Sequence, residues 1–299
     1  MTPARLLGAF LETRGEHTRR AYRQDLESFR RFVGRTELVD AVSALVGSTQ
    51  GKANVLALEY RAHLIREHLS PATINRRLAA LRSLVKRARA LGMVPWTLDV
   101  PSLKAEPYRD TRGPGRVGFN RLVRAARRRN DGTGLRNLAA LRLLFDLALR
   151  REEVVSLDVD DVDLAAGTVA VVGKGRTQKI RLTLPGPTQA ALEAWLAERG
   201  PDPGPLFVNF DPARKGRRLT GRSLYRIVTE LGDQVGLRVT PHGLRHAAIT
   251  EALDLTRGDV RAVQRFSRHR DLRVLNLYDD SREDLGGRVA RLVASGRRR

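Results

Sequence analysis

Thr240-Pro241-His242-Gly243-Leu244-Arg245-His246 opens a stretch that closes on Asn276-Leu277-Tyr278-Asp279-Asp280, with Ser267-Arg268-His269 between them. Thr240 is a good N-cap and Pro241 suits the first helical position, so a helix starts here. His242 and Arg245 lie three apart and share one face of it. Asp271 can cap a second short helix, along which Leu272, Leu275 and Tyr278 recur every three residues. Taken singly these residues say little. His-x-x-Arg also occurs at His17/Arg20 and His63/Arg66, and a lone tyrosine at helical spacing is more often a packing residue. Together they place two histidines, an arginine and a tyrosine hydroxyl where one phosphate would fit.

The composition agrees with a polyanionic partner. The chain has 299 residues, enough for two domains or one large one, and 41% hydrophobic residues can build a real core. Its formal net charge is +22, with an isoelectric point near 11.4. Nucleic acid is the default partner of so basic a chain. Arginine is spread along the whole length, whereas lysine occurs only at Lys52, Lys86, Lys104, Lys174, Lys179 and Lys215, so a well-placed lysine is the more informative cation. Cysteine is absent, which excludes disulfides, zinc ribbons and cysteine nucleophiles. With six scattered histidines and no His-Glu-x-x-His pattern, no metal is expected. The N-terminus has no signal-peptide core and no long uncharged apolar run follows. The sequence reads as a soluble cytoplasmic or nucleoid-associated protein without a membrane segment.

Periodicity predicts a mainly α chain with a small β-hairpin. Helices are expected over 4–12, 18–32, 38–46, 54–69 and 71–91. Val55, Leu58, Ala62, Ile65 and Leu69 form the predicted buried stripe of the fourth, and Ile74, Leu78, Leu81 and Val85 that of the fifth. Arg19, Arg20, Arg76, Arg77, Arg82 and Lys86 lie off the apolar stripes. They form either a solvated face or, as assigned here from the charge of the chain, a DNA-facing one. Proline and glycine then cluster, which divides the chain into a helical domain over 1–101, a linker over 102–115 and a second domain over 116–299 with a tail from 282. In the second domain helices are expected over 120–129, 136–149, 187–199 and 223–235, with a short one after Arg150. Thr168–Val172 and Lys179–Leu184 pair as a hairpin with Gly173-Lys174-Gly175 near its tip. Leu285, Val289, Leu292 and Val293 make an apolar stripe behind a Gly286-Gly287 hinge.

The combined pattern resembles the tyrosine recombinases, the family of phage integrases, Cre and the Xer proteins. Ala148-Leu149-Arg150-Arg151-Glu152-Glu153-Val154 is similar to the family's Gly-Leu-Arg-x-x-Glu-Leu box. His242-Gly243-Leu244-Arg245-His246 matches its His-x-Leu-Arg-His box, and His269 precedes Tyr278 by the family's nine residues. Thr18-Arg19-Arg20-Ala21-Tyr22 and Thr73-Ile74-Asn75-Arg76-Arg77-Leu78 resemble its core-binding domain. Two positions depart from the pattern: Ala148 and Arg268 stand where glycine is usual, which matters if the backbone there needs positive φ.

The resemblance implies a four-helix SAM-like core-binding domain joined to an α+β catalytic domain. It also implies a site-specific recombinase that cuts and rejoins DNA through a 3′-phosphotyrosyl bond. Tyr278 would be the nucleophile, Arg150 and Arg245 the phosphate cradle, His242 the base, His269 a further donor and Lys174 the general acid, with Lys179 a rival. The residue types suit these roles. Forked guanidiniums neutralise charge that builds on the non-bridging oxygens, and a tyrosine of pKa about 10 needs cations or a base beside it to attack at neutral pH. No cofactor, metal or ATP is implied. The expected partners are double-stranded DNA with paired sites and further copies of the chain, dimer to tetramer, joined through the tail. A type IB topoisomerase and a non-catalytic DNA-binding protein are the alternatives.

Overall fold

The computed structural model describes residues 1–104, 113–173, 178–269 and 285–295. The chain divides into two compact units, Met1–Glu106 and Pro107–Arg299.

The first unit is helical: α1 (Pro3–Glu12), α2 (Glu16–Phe32), α3 (Leu38–Val46), α4 (Gln50–Arg66) and α5 (Pro71–Ala90). Thr2 and Ser70 cap α1 and α5 by accepting the amides of Arg5 and Thr73, each with proline in the first turn. Short α1 packs on α3 and α5 and joins the four helices α2–α5 around one core that holds Phe10, Leu26, Phe29, Leu45, Leu64 and Leu81.

The stripe predicted for α4 is corrected. Val55, Leu58 and Ile65 are 54%, 40% and 45% exposed, and the buried face is instead Ala53, Ala57, Tyr60 and Leu64. Apolar residues run almost continuously from Val55 to Leu58, so spacing alone left the rotation open. Tyr60 sets it. Its ring meets Phe29 and Phe32 at 5.2 Å each, and its buried hydroxyl bonds Ser28 at 2.9 Å. An aromatic ring buries more area than any competing aliphatic side chain on this helix.

The second unit contains α6 (Gly115–Arg127), α7 (Gly132–Asp146), α8 (Arg151–Val155), β1 (Val162–Asp163), β2 (Thr168–Val172), β3 (Lys179–Thr183), α9 (Gly186–Arg199), α10 (Gly221–Asp233), α11 (Pro241–Leu255), α12 (Val260–Ser267) and α13 (Leu285–Ser295). The predicted hairpin is part of an antiparallel three-stranded sheet in the order β1-β2-β3, with Val162 opposite Val169 and Val169 opposite Leu182. Helix α7 is central and packs on α6, α9 and α11. At Gly134 an added Cβ would lie 1.9 Å from the Arg129 carbonyl, so only glycine lets the end of α6 approach the start of α7.

Three boundaries differ from the sequence reading in ways that matter. Helix α7 stops at Asp146 instead of 149, because Ala148 turns to φ +44°. Helix α12, capped by Asp259 on the Ala262 amide, was not foreseen. The Gly286-Gly287 pair lies inside α13 and is not a hinge; glycine costs little in a first turn whose amides have no helical partner. Residues 105–112, most of the predicted linker, lie outside the described residues, as do Lys174 and the segment holding Asp271, Leu272, Leu275 and Tyr278. Among the described residues, no helix is long and apolar enough to cross a membrane.

Candidate active site

Arg150 occupies the N-cap of α8 in extended backbone. Glu153, three residues on, accepts the Arg150 amide at 2.9 Å with one oxygen and its guanidinium at 2.6 Å with the other. This is half of a capping box: Glu153 reaches back to the N-cap amide, while the arginine at the cap has no acceptor to return. Glu153 is buried, and burial alone would favour its neutral form. The Arg150 amide, the Arg268 charge and the Arg150 guanidinium outweigh that and hold its carboxyl below the usual range.

Arg245, from the first turns of α11, is only 2% exposed. Its guanidinium donates to the Ala148 carbonyl and, at 2.5 Å, to the Ser267 carbonyl at the end of α12, and lies 3.4 Å from His269 Nε2. One cation thus ties together the Ala148 turn, α11 and α12. His269 is further held by its Nδ1 against Ser267 Oγ at 2.9 Å and by its carbonyl, which accepts from Gln264 at 3.1 Å. Burial first, then the charges of Arg245, Arg150 and Arg268, push His269 down to about 4.

His242 and His246, one turn apart on α11, face each other edge to face with Nε2 atoms 2.6 Å apart. One nitrogen must donate and the other accept, so both rings cannot be doubly protonated. Burial, then His242 and Arg245, drive His246 down to about 4. The ring of His242 keeps an exposed side, and the surrounding protein, then Arg245 and Arg150, lower it too. All three imidazoles are therefore neutral at pH 7, and three permanent cations, Arg150, Arg245 and Arg268, stand among them.

Residues 118–284, more than half of the chain, match the phage integrase family, and residues 7–92 match the phage integrase N-terminal SAM-like domain. This chain belongs to the phage integrase family. Tyrosine recombinase slr0733 of Synechocystis sp. is 38% identical over 289 residues, 95% of this chain and 92% of that protein. Tyrosine recombinase XerC of Pseudomonas fluorescens is 32% identical over 268 residues, 88% and 85% of the two. The Tn1549 transposon integrase, solved with transposon right-end DNA, superposes with a TM-score of 0.72 over 99% of this chain and 100% of that one. At 16% identity this likeness speaks for the fold.

In this phage integrase family member, Arg150, His242, Arg245 and His269 converge on the loop and helix ends just described. Lys174 and Tyr278 fall outside the described residues. The rival lysine is accounted for: Lys179 Nζ sits 2.5 Å from the buried carboxylate of Asp161, a hydrogen bond that raises its pKa. That makes Lys179 a poorer proton donor.

The basic residues assigned to DNA in the first unit divide. Arg19, Arg20 and Lys86 are exposed. Arg76 is half exposed and pairs with buried Asp25 at 2.6 Å. Arg77 is partly buried, with its Nε sealed and unbonded among the described residues. Arg82 donates to the Val100 carbonyl at 2.7 Å and to Ser102 at 3.2 Å, which clips the following segment to α5.

Sequence reasoning gave no role to His246, Ser267, Gln264 or the Ala148 carbonyl. The i, i+4 spacing of His242 and His246 was a usable signal. The others act through carbonyls of Ala148 and Ser267 and through local side-chain contacts of Ser267 and Gln264 with His269, which spacing alone does not announce.

Proposed function

We propose that this tyrosine recombinase cleaves and rejoins DNA at specific paired sites through a 3′-phosphotyrosyl bond at Tyr278. The observation that carries the assignment of residues is the braced pair of guanidiniums, part-buried Arg150 and sealed Arg245, flanked by neutral histidines. Arg150 and Arg245 neutralise the charge that grows on the non-bridging oxygens as the phenol attacks. Neutral His242 is able to take the phenolic proton, since its pKa lies below pH 7. His269 accepts from Arg245 in the free protein; beside a phosphate anion it gains a proton and donates instead. Lys174 protonates the departing 5′ oxygen. Arg19, Arg20, Arg76, Arg77 and Lys86 bind backbone phosphates, with Arg82 behind them. The bond energy stays in the phosphotyrosyl link, so neither ATP nor a metal is used, and the protein works in the cytoplasm where its DNA lies.

The tail joins protomers, as dimer to tetramer on DNA. A groove of about 540 Å³ in the second unit is lined, among the described residues, by Phe145, Ala248, Val263, Phe266 and Leu255, the last 75% exposed. It suits the apolar side of a neighbouring α13. Sedimentation on target DNA should show loss of the higher assembly when residues 284–299 are removed; unchanged assembly contradicts this docking.

The function is tested by recovering and sequencing DNA fragments that the protein holds covalently, then placing two copies of that sequence in one plasmid. Recombination confined to the paired sites is expected. Relaxation of unrelated supercoiled plasmid without exchange would point to a topoisomerase.

A further inference from the structure

Position 268 is where the resembled pattern carries glycine, and the backbone keeps a glycine-like conformation there, φ +58°. Arginine in that conformation costs roughly 1–2 kcal/mol. The other departure, Ala148, is strained in the same sense at φ +44°. The two strained residues hold each other. The Arg268 guanidinium donates to the Ala148 carbonyl at 3.0 Å and to the Leu147 carbonyl at 3.1 Å. It also donates to Phe266 O at 3.0 Å and to Glu153 Oε2 at 3.2 Å. Strain of this kind persists only where surrounding contacts over-determine it.

Both of its principal acceptors are shared with the proposed phosphate cradle. Glu153 binds Arg150 with its other oxygen, and the Ala148 carbonyl also accepts from Arg245. We propose that Arg268 is a positioning residue that locks Arg150 and Arg245 into one preformed anion cradle before DNA arrives. This rests on the recombinase reading above.

Stability alone is a poor reason for the residue. Its side chain is 8% exposed, its Nε is sealed without a partner among the described residues, and a single buried carboxylate, Glu153, faces both it and Arg150. Burying a further cation in such company is unfavourable unless something is gained from the fixed geometry. The gain is preorganisation: donors aimed at a developing charge help most when they need no rearrangement at the moment of reaction. Only a planar fork reaches three backbone carbonyls and a carboxylate together, which lysine's single ammonium on a flexible stem does not.

The test compares Arg268→Gly, Arg268→Gln and Arg268→Lys with the full wild-type chain. Melting temperature, DNA affinity and the single-turnover rate of covalent adduct formation at saturating DNA are measured on each. Arg268→Gly relieves the backbone strain and is the variant most secure in folding. It should keep its DNA affinity within about threefold while adduct formation slows about 10–100-fold, the usual loss for a supporting partner. Arg268→Gln should be as slow, and Arg268→Lys, which keeps the charge and loses the fork, should recover part of the rate. Should Arg268→Gly not fold, wild-type cleavage by Arg268→Lys would overturn the proposal. So would wild-type cleavage by Arg268→Gly, or rates that fall only in step with melting temperature and DNA affinity. A wild-type chain that traps no adduct at all would overturn the recombinase chemistry instead.

Discussion

Arg19, Arg20 and Arg76 of the first unit and Arg245 and Arg268 of the second are held in opposite ways. In the first, Arg19 and Arg20 stand in solvent, and Arg76 leans out from a buried aspartate. In the second, Arg245 and Arg268 are nearly sealed and both donate to the Ala148 carbonyl. Physics gives these arrangements different uses. Two charges 4 Å apart in bulk water interact by about 1 kcal/mol, and salt screens them beyond about 8 Å at physiological ionic strength. Exposed arginines therefore gather phosphate loosely and reversibly. A sealed, fixed guanidinium is hardly screened and needs no reorganisation, so it can favour one transition state over its ground state. On the function proposed above, the first unit would hold DNA and the second would change it.

That division can be broken by experiment. The largest effect is expected at Arg245. Arg245→Lys keeps a charge but loses the fork, and adduct formation at saturating DNA should fall about 10²–10³-fold, with little change in DNA affinity measured by filter binding. A loss confined to affinity would erase the distinction between the units. Glu153→Gln comes next. It removes the charge shared by Arg150 and Arg268, and quenched-flow cleavage should slow about 10–100-fold with a lower melting temperature. The double substitution Arg19→Ala with Arg20→Ala should act in the other currency. About 8 neutralised phosphates give a log–log salt slope near −7, and losing two contacts should flatten it by about 2. An unaltered slope would remove these two residues from the DNA face.

The smallest effect concerns pH. His246 and His269 titrate near 4 in the folded protein, below the ordinary imidazole value of 6.5. Between those values the unfolded chain binds more protons than the folded one. Stability is then fully present above about pH 6.5 and declines as pH falls toward 4. Melting curves across that range should show the decline, and His246→Asn or His269→Asn should flatten it. A melting temperature that rises on acidification would contradict the neutral state assigned to both rings.

Much of this was legible in the sequence. The helices α1 to α3 and α5 and the β2–β3 hairpin follow from caps and spacing, whereas Arg150, His242, Arg245 and His269 were singled out together by the resemblance to the tyrosine recombinases. The rotation of α4 was not, because apolar residues cover most of its surface and one buried tyrosine decides among them. Nor was the bracing around Arg268. The sequence marks Ala148 and Arg268 as replacing glycine, but only coordinates reveal that both keep positive φ and that one clamps the other. The division among the first unit's basic residues was equally hidden, since Arg82 and Arg20 look alike until their partners are known.

The central claim is that one phenol, at residue 278, becomes esterified to a DNA 3′ phosphate. A nicked duplex carrying the recovered site, on which the cut fragment diffuses away, tests it directly. Wild-type protein should accumulate as a denaturant-resistant adduct whose DNA maps to Tyr278 by mass spectrometry, and Tyr278→Phe should accumulate none. Equal trapping by Tyr278→Phe, or an adduct on another residue, would contradict it.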